Sequence, residues 1–224
     1  MGTVSVRYAR ALLLYALEQG ESEQVYADMQ ALVERLRFIP AIREALIIAK
    51  LDIPVVYNTN GYDSMEGLMQ MEGLIDVYLP DLKYFSPDLS LEYSGAADYF
   101  EKASKAVTEM YRQVGPLVLD EDGIIMRGLI IRHLVLPGHI NDTVKVLDWI
   151  AGNIPEAHVS LMSQYVPCHK ACDHPVLGRC LTRYEYDKVL NRFIKLGLNG
   201  YVQERESASE QFIPDFSTSD LTSF

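Results

Sequence analysis

Three cysteines, Cys168, Cys172 and Cys180, fall in one short stretch with the spacing C-x3-C-x7-C, and His169 and His174 lie among them. Thiolate sulfur and imidazole nitrogen are competent ligands for zinc and softer metals, so any adventitious metal would go here first. An odd number of cysteines in one loop is not a disulfide framework. The plain reading is free thiols in a reducing compartment, with no metal ligand assigned. A second set of chemically capable residues sits in short turns that follow apolar runs: Asn58 to Tyr62, Asp81 to Lys83, Pro137 to Asp142, and Gln164 to Lys170. Asp81 offers anionic oxygens, Lys83 a point positive charge, and Gly61 a backbone free to adopt conformations other residues resist.

The elements that must position these residues alternate in type. Ile53 to Tyr57 is a short apolar run ending in the turn-forming Asn58-Thr59-Asn60-Gly61. Ser64 is placed to cap a short helix over 65–71. Leu74 to Leu79 reads as a strand closed by Pro80-Asp81, and a long helix follows from about Asp98 to Val114. Gly128 to Leu136 is the next strand, ended by Pro137-Gly138, and Asn141 or Asp142 caps a helix to about Asn153. His158 to Tyr165 is a strand. Thr182 caps a helix to Leu196, with Glu185 completing a capping box. Gly200 to Gln203 is a last short strand, and the polar tail from Ser207 reads as irregular. Strands alternating with crossover helices imply a parallel sheet, in which ligands sit at the C-terminal ends of the strands. That rule collects all four turns on one face.

Before residue 50 the pattern is different. Arg7 to Gly20 and Glu21 to Phe38 carry helix-period apolar stripes, Pro40 interrupts, and Ala41 to Lys50 is a short third helix. The 224 residues carry a formal charge of -11. That balance argues against a nucleic-acid backbone or an anionic membrane as general partner, since both require clustered Lys and Arg. No apolar run reaches the length of a membrane span, and Met1 to Val6 lacks a secretory signal pattern, so a cytoplasmic location is expected. Met1-Gly2 opens like a myristoylation site, but Val6 stands where Ser or Thr is wanted.

The runs IPVVYNTNGY (53–62), IDVYLPDLKY (75–84), EYSGAADY (92–99), RGLIIRHLVLPGH (127–139), LMSQYVPCHKA (161–171) and SASEQFIPDF (207–216) occur in this order. Together they resemble the radical S-adenosylmethionine (radical SAM) proteins related to pyruvate formate-lyase activating enzyme. The resemblance covers residues 50–216 and leaves 217–224 as a tail. It implies an α/β fold, a partial (β/α) barrel of about four to five parallel strands preceded by an all-α segment. It also implies that Asn58, Thr59, Asn60, Gly61, Asp81, Lys83 and Arg132 occupy positions facing S-adenosylmethionine. The family's chemistry requires a [4Fe–4S] cluster on three thiolates in a C-x3-C-x2-C motif, and a Gly-Gly-Glu motif for the SAM amine. Neither motif occurs in the 224 residues. The expectation is therefore a truncated radical SAM-like protein without SAM-cleaving activity and with no catalytic residue assigned.

Residues 1–46 resemble something else. VSVRYARALLLYALEQG (4–20) and YADMQALVERLRFIPAIREAL (26–46) are similar to the N-terminus of the F-type ATP synthase delta subunit. That resemblance implies a helical module gripping the N-terminal helix of an ATP synthase alpha subunit. Two alternatives follow, a delta-like binding module or a non-functional gene fusion. A barrel lacking its two leading βα units would also expose the edge of its first strand and invite self-association.

Overall fold

The computed structural model describes residues 46–47 and 53–202. The expected helices over 7–20 and 21–38, the junction near residue 50, residue 203 of the last expected strand and the polar tail all lie outside them. The elements of the main body are β1 (Val56–Thr59), α1 (Met65–Gln70), β2 (Val77–Pro80), α2 (Pro87–Ser94), α3 (Tyr99–Val114), β3 (Val118–Leu119), β4 (Ile125–Leu134), α4 (Ile140–Asn153), β5 (His158–Met162), a 3-10 turn (His169–Asp173), α5 (Arg183–Lys195) and β6 (Asn199–Val202).

The strands form one six-stranded sheet in the order β1-β2-β4-β5-β6, with β3 added antiparallel beside β4. The other pairings are all parallel. Parallel neighbours in sequence order, joined through helices, are an open arc of a (β/α) barrel, which is the α/β class expected from the alternating pattern. The ladder between β2 and β4 is interrupted: Val77 pairs with Gly128 and Tyr78 with Leu129, and pairing resumes only at the bridge between Asp81 and Arg132. Pro80 has no N–H to give to a ladder, which accounts for part of the gap.

Register decides which face each side chain serves. Tyr78, Leu129, Ile131, Val159 and Leu161 point into the core together with Ala106, Val107 and Met110 of α3, Val146, Leu147 and Ile150 of α4, and Val189 and Phe193 of α5. These helical positions are three or four residues apart, so each helix lays one apolar stripe on the same side of the sheet. The alternate strand residues, Leu79, Ile130, Arg132 and Ser160 among them, therefore face the other side, the interior of the arc.

Several boundaries differ from the sequence expectation. β1 runs through Thr59, so Asn58 and Thr59 are strand residues and the turn starts at Asn60. Thr59 accepts the Asp81 amide at 2.9 Å, which keeps the chain extended two residues longer. The N-cap of α4 is His139. Asp142 does not cap that helix, because its carboxylate accepts the amides of Phe85 and Ser86 at 2.9 and 2.8 Å and so ties α4 to the loop after β2. β4 starts at Ile125 and ends at Leu134, and β5 ends at Met162, short of Tyr165. Ser64 caps α1 by accepting the Gly67 amide, and the Thr182–Glu185 capping box is present in full.

Candidate functional site

The C-terminal ends of β1, β2 and β4 bring Asp81, Lys83 and Arg132 together. Arg132 donates from Nε to Asp81 Oδ1 at 2.8 Å and its NH2 group lies 2.6 Å from the same oxygen. Lys83 Nζ stands 3.8 Å from Oδ2, outside hydrogen-bond range. Two cations thus share one carboxylate, leaving a local excess of positive charge in a chain whose formal charge is -11. All three side chains are partly exposed, at 21%, 39% and 29% for Asp81, Lys83 and Arg132. Such a group is suited to an anionic oxygen, held by Lys83 and the remaining guanidinium donors.

Gly61 brings the β1 turn against this cluster. Its φ is +80°, and a Cβ built on it would overlap the Asp81 carbonyl oxygen, so the close approach of the two loops requires glycine. Asn60 closes the turn on itself, accepting the Tyr62 amide at 2.9 Å. Thr59 Oγ1 donates to Asp63 at 2.5 Å and accepts from the Gly61 amide at 3.2 Å, while Tyr57 donates to the other Asp63 oxygen at 2.9 Å. The Thr59 side chain is thereby committed to shaping the turn. Asn58 lies on an exposed position of β1. Of the seven expected residues, Gly61, Asp81, Lys83 and Arg132 come together, Thr59 and Asn60 build the turn, and Asn58 stands on the strand before it.

Sequence reasoning missed Tyr99, the residue that fastens the two loops. Its hydroxyl accepts from the Lys83 amide at 3.1 Å and lies 2.9 Å from the Asn60 carbonyl and 2.8 Å from that of Asp81, to either of which its one proton is donated. Burial pushes its phenol well above the usual tyrosine range, the Lys83 amide opposing, so it stays neutral and able to donate. The signal was hard to extract, because Tyr99 opens α3 and an aromatic there reads as ordinary core. His133 was also missed. It is buried at 1% exposure on the core side of β4, within 2.6 Å of the Leu82 carbonyl and 3.0 Å of Thr143 Oγ1. Burial lowers its pKa, and a neutral ring donating from Nδ1 and accepting at Nε2 satisfies both partners.

A second polar group joins α2 to the loops after β4 and β5. Tyr93 Oη lies 2.8 Å from His139 Nε2, and His174 Nε2 lies 3.2 Å from Glu92. His174 Nδ1 accepts the amides of Val176 and Leu177 at 3.2 and 3.1 Å, so the ring carries its proton on Nε2, toward Glu92. Burial lowers the His139 pKa, against the attraction of Asp142 and Glu92. Cys168, Cys172 and Cys180 are exposed free thiols in the same loop. Among the described residues no three His, Cys, Asp or Glu side chains are arranged to hold a metal ion. The donor set accordingly does not fit a [4Fe–4S] cluster: the chain's three cysteines follow β5, and none of them is on the β1 and β2 turns that approach Asp81.

No protein-family profile matches the chain. It is 34% identical over 160 residues to the uncharacterized protein MJ0674 of Methanocaldococcus jannaschii, covering 71% of this chain and 43% of that one. It is 44% identical over 46 residues to ATP synthase subunit delta of Phocaeicola vulgatus, or 20% of this chain and 25% of that subunit. A further ATP synthase subunit delta, from Azobacteroides pseudotrichonymphae, is 29% identical over 122 residues, 53% of this chain and 60% of that one. Among solved structures, a domain of pyruvate-formate lyase-activating enzyme from Bacteroides vulgatus overlays with a TM-score of 0.46 at 11% identity, covering 65% of this chain and 79% of that domain. The chain thus spans less than half of the M. jannaschii relative. The delta-subunit resemblance read from the sequence has a counterpart in these two subunits. Among the described residues, no helix is long and apolar enough to cross a membrane.

Proposed function

We propose that residues 50–216 are the back part of a radical SAM-like barrel that keeps a ligand-facing mouth and has lost SAM cleavage. The observation that carries this reading is the convergence of Gly61, Asp81, Lys83 and Arg132 at the ends of three strands, fastened by Tyr99. In this reading Lys83 and Arg132 offer positive charge to a carboxylate such as that of the methionyl part of S-adenosylmethionine. Asp81 offers its oxygens to an ammonium or a cation, and Asn58 to Gly61 border the same ligand. The chemistry of the family would come from an iron–sulfur cluster, and the sulfur donors for it are missing from this mouth. Anaerobic reconstitution with iron and sulfide, followed by reductant and S-adenosylmethionine, tests the reading. No 5′-deoxyadenosine above a protein-free control is expected, and catalytic formation of 5′-deoxyadenosine would overturn it.

A second reading is favoured by the delta-subunit similarity over 46 residues. Residues 1–46 would then be a binding module for the N-terminal helix of an ATP synthase alpha subunit. Pull-down with that peptide decides it: retention at micromolar concentration supports the module, and no retention removes it and leaves a gene fusion without this function. The outer edge of β1, where Val56 is 55% exposed, is the place for self-association. A monomer mass from light scattering across the micromolar range would count against that contact.

A further inference from the structure

The loop between β5 and α5 is built around its cysteines in a way the proposed ligand mouth does not use. Cys172 lies in the 3-10 turn, and the chain then doubles back. The Gly178 amide donates to the His174 carbonyl at 2.8 Å, and a Cβ on Gly178 would sit 2.7 Å from the Cys172 carbonyl oxygen. Residues 172 and 178 are therefore in backbone contact, with Cys180 two residues further on. Cys180 lies at most about 7 Å of chain beyond that contact, and a disulfide requires a Cα separation of roughly 4–7 Å. Cys168 differs: it precedes the turn with extended backbone, φ -142° and ψ 155°. All three thiols are exposed. Next to Cys168, His169 is the one described non-glycine residue with positive φ, at 49°, so the reduced loop holds an uncommon conformation.

We propose that Cys172 and Cys180 form a reversible disulfide, a redox switch in the loop that covers the C-terminal ends of β4 and β5. The oxidant is hydrogen peroxide. The thiolate of one cysteine attacks a peroxide oxygen, the O–O bond breaks, and the leaving hydroxide departs as water with a proton. The second thiolate attacks the resulting sulfenic sulfur, the S–O bond breaks, and a second water leaves. Two thiols are oxidised by two electrons in all and one peroxide is reduced. The crosslink encloses His174, Val176 and Leu177. His174 meets Glu92 at 3.2 Å, Val176 packs against Gly138 in the turn before α4, and the Leu177 carbonyl accepts the Tyr165 hydroxyl at 2.9 Å. Oxidation therefore stiffens the segment that joins α2 to the loops after β4 and β5.

The full chain treated with hydrogen peroxide and then alkylated under denaturing conditions tests this. Intact mass should show loss of two hydrogens with a single cysteine left to alkylate, and tryptic mapping should give a Cys172–Cys180 peptide that dithiothreitol separates. Cys168→Ser should keep the crosslink, whereas Cys172→Ser and Cys180→Ser should each abolish it. In the oxidised protein, amide exchange at Val176 and Leu177 should slow. Three alkylated thiols after peroxide, a crosslink that maps to Cys168, or a disulfide joining two chains on a non-reducing gel would each overturn the proposal.

Discussion

Replacing Gly61 by alanine separates two costs that the structure sets apart. Gly61 has φ +80°, and the added Cβ would overlap the carbonyl oxygen of Asp81. Gly73 has nearly the same φ, +78°, with nothing within 4 Å of the position a Cβ would take. Gly73→Ala therefore carries the conformational cost alone, about 1 kcal/mol for an L-residue in the left-handed region. Gly61→Ala carries that cost plus displacement of a backbone carbonyl that also accepts from buried Tyr99, about 1–3 kcal/mol more if that hydrogen bond is lost. The expected losses are about 1 kcal/mol for Gly73→Ala and about 2–4 kcal/mol for Gly61→Ala, a large part of the stability of an ordinary domain. Urea unfolding followed by circular dichroism, with both variants at one pH and temperature, measures the difference. Equal losses in the two variants would refute the idea that Gly61 is required by the approach of the β1 turn to Asp81.

Tyr99→Phe should cost about 1–3 kcal/mol, because the Lys83 amide loses its acceptor in a buried setting; denaturant midpoints check it. Arg132→Met should weaken retention of a carboxylate ligand such as S-adenosylmethionine in equilibrium dialysis, whereas Arg127→Met, which removes a donor to the Gln113 carbonyl, should not. Glu185 is held well below the usual carboxylate range, first by Arg179, then by the amides of Thr182 and Gly138. Its folded value is depressed, so its stabilisation is present above the unfolded value of 4.5 and is lost as pH falls from there through the folded value; Glu185→Gln should flatten the acid limb of a stability–pH curve. His133 is likewise depressed, by burial, from 6.5, so wild-type stability should fall as pH drops below that value, and His133→Gln should remove this component.

Much of the framework was legible because long periodic segments dominate it. The stripe of Ala103, Ala106, Val107, Met110 and Val114 announces α3, and Thr182 with Glu185 three residues on announces the start of α5. α2 was not read, although Ser86-Pro87 at its start and Gly95 in the left-handed conformation at its end are ordinary helix signals. Its only fully buried residue is Ser90, and Leu91 is 55% exposed, so no apolar stripe betrays it. β3 is two residues long, too short to show alternation. The candidate site was legible as a set of turns, since parallel topology alone collects them at one end of the sheet. What could not be read was pairing at a distance. Asp142 looks like a helix cap and instead holds the loop at Phe85, and Tyr99 looks like core packing and instead fastens three backbone groups. Each interaction joins residues far apart in sequence, where local pattern carries no information.

We propose that this chain has a ligand-facing barrel mouth without the sulfur donors for an iron–sulfur centre. Iron and acid-labile sulfide counted per chain after anaerobic reconstitution and desalting test it most directly. Iron well below one cluster per chain is expected, unchanged when Cys168, Cys172 and Cys180 are all replaced by serine. About four irons and four sulfides per chain, lost in that triple variant, would contradict it.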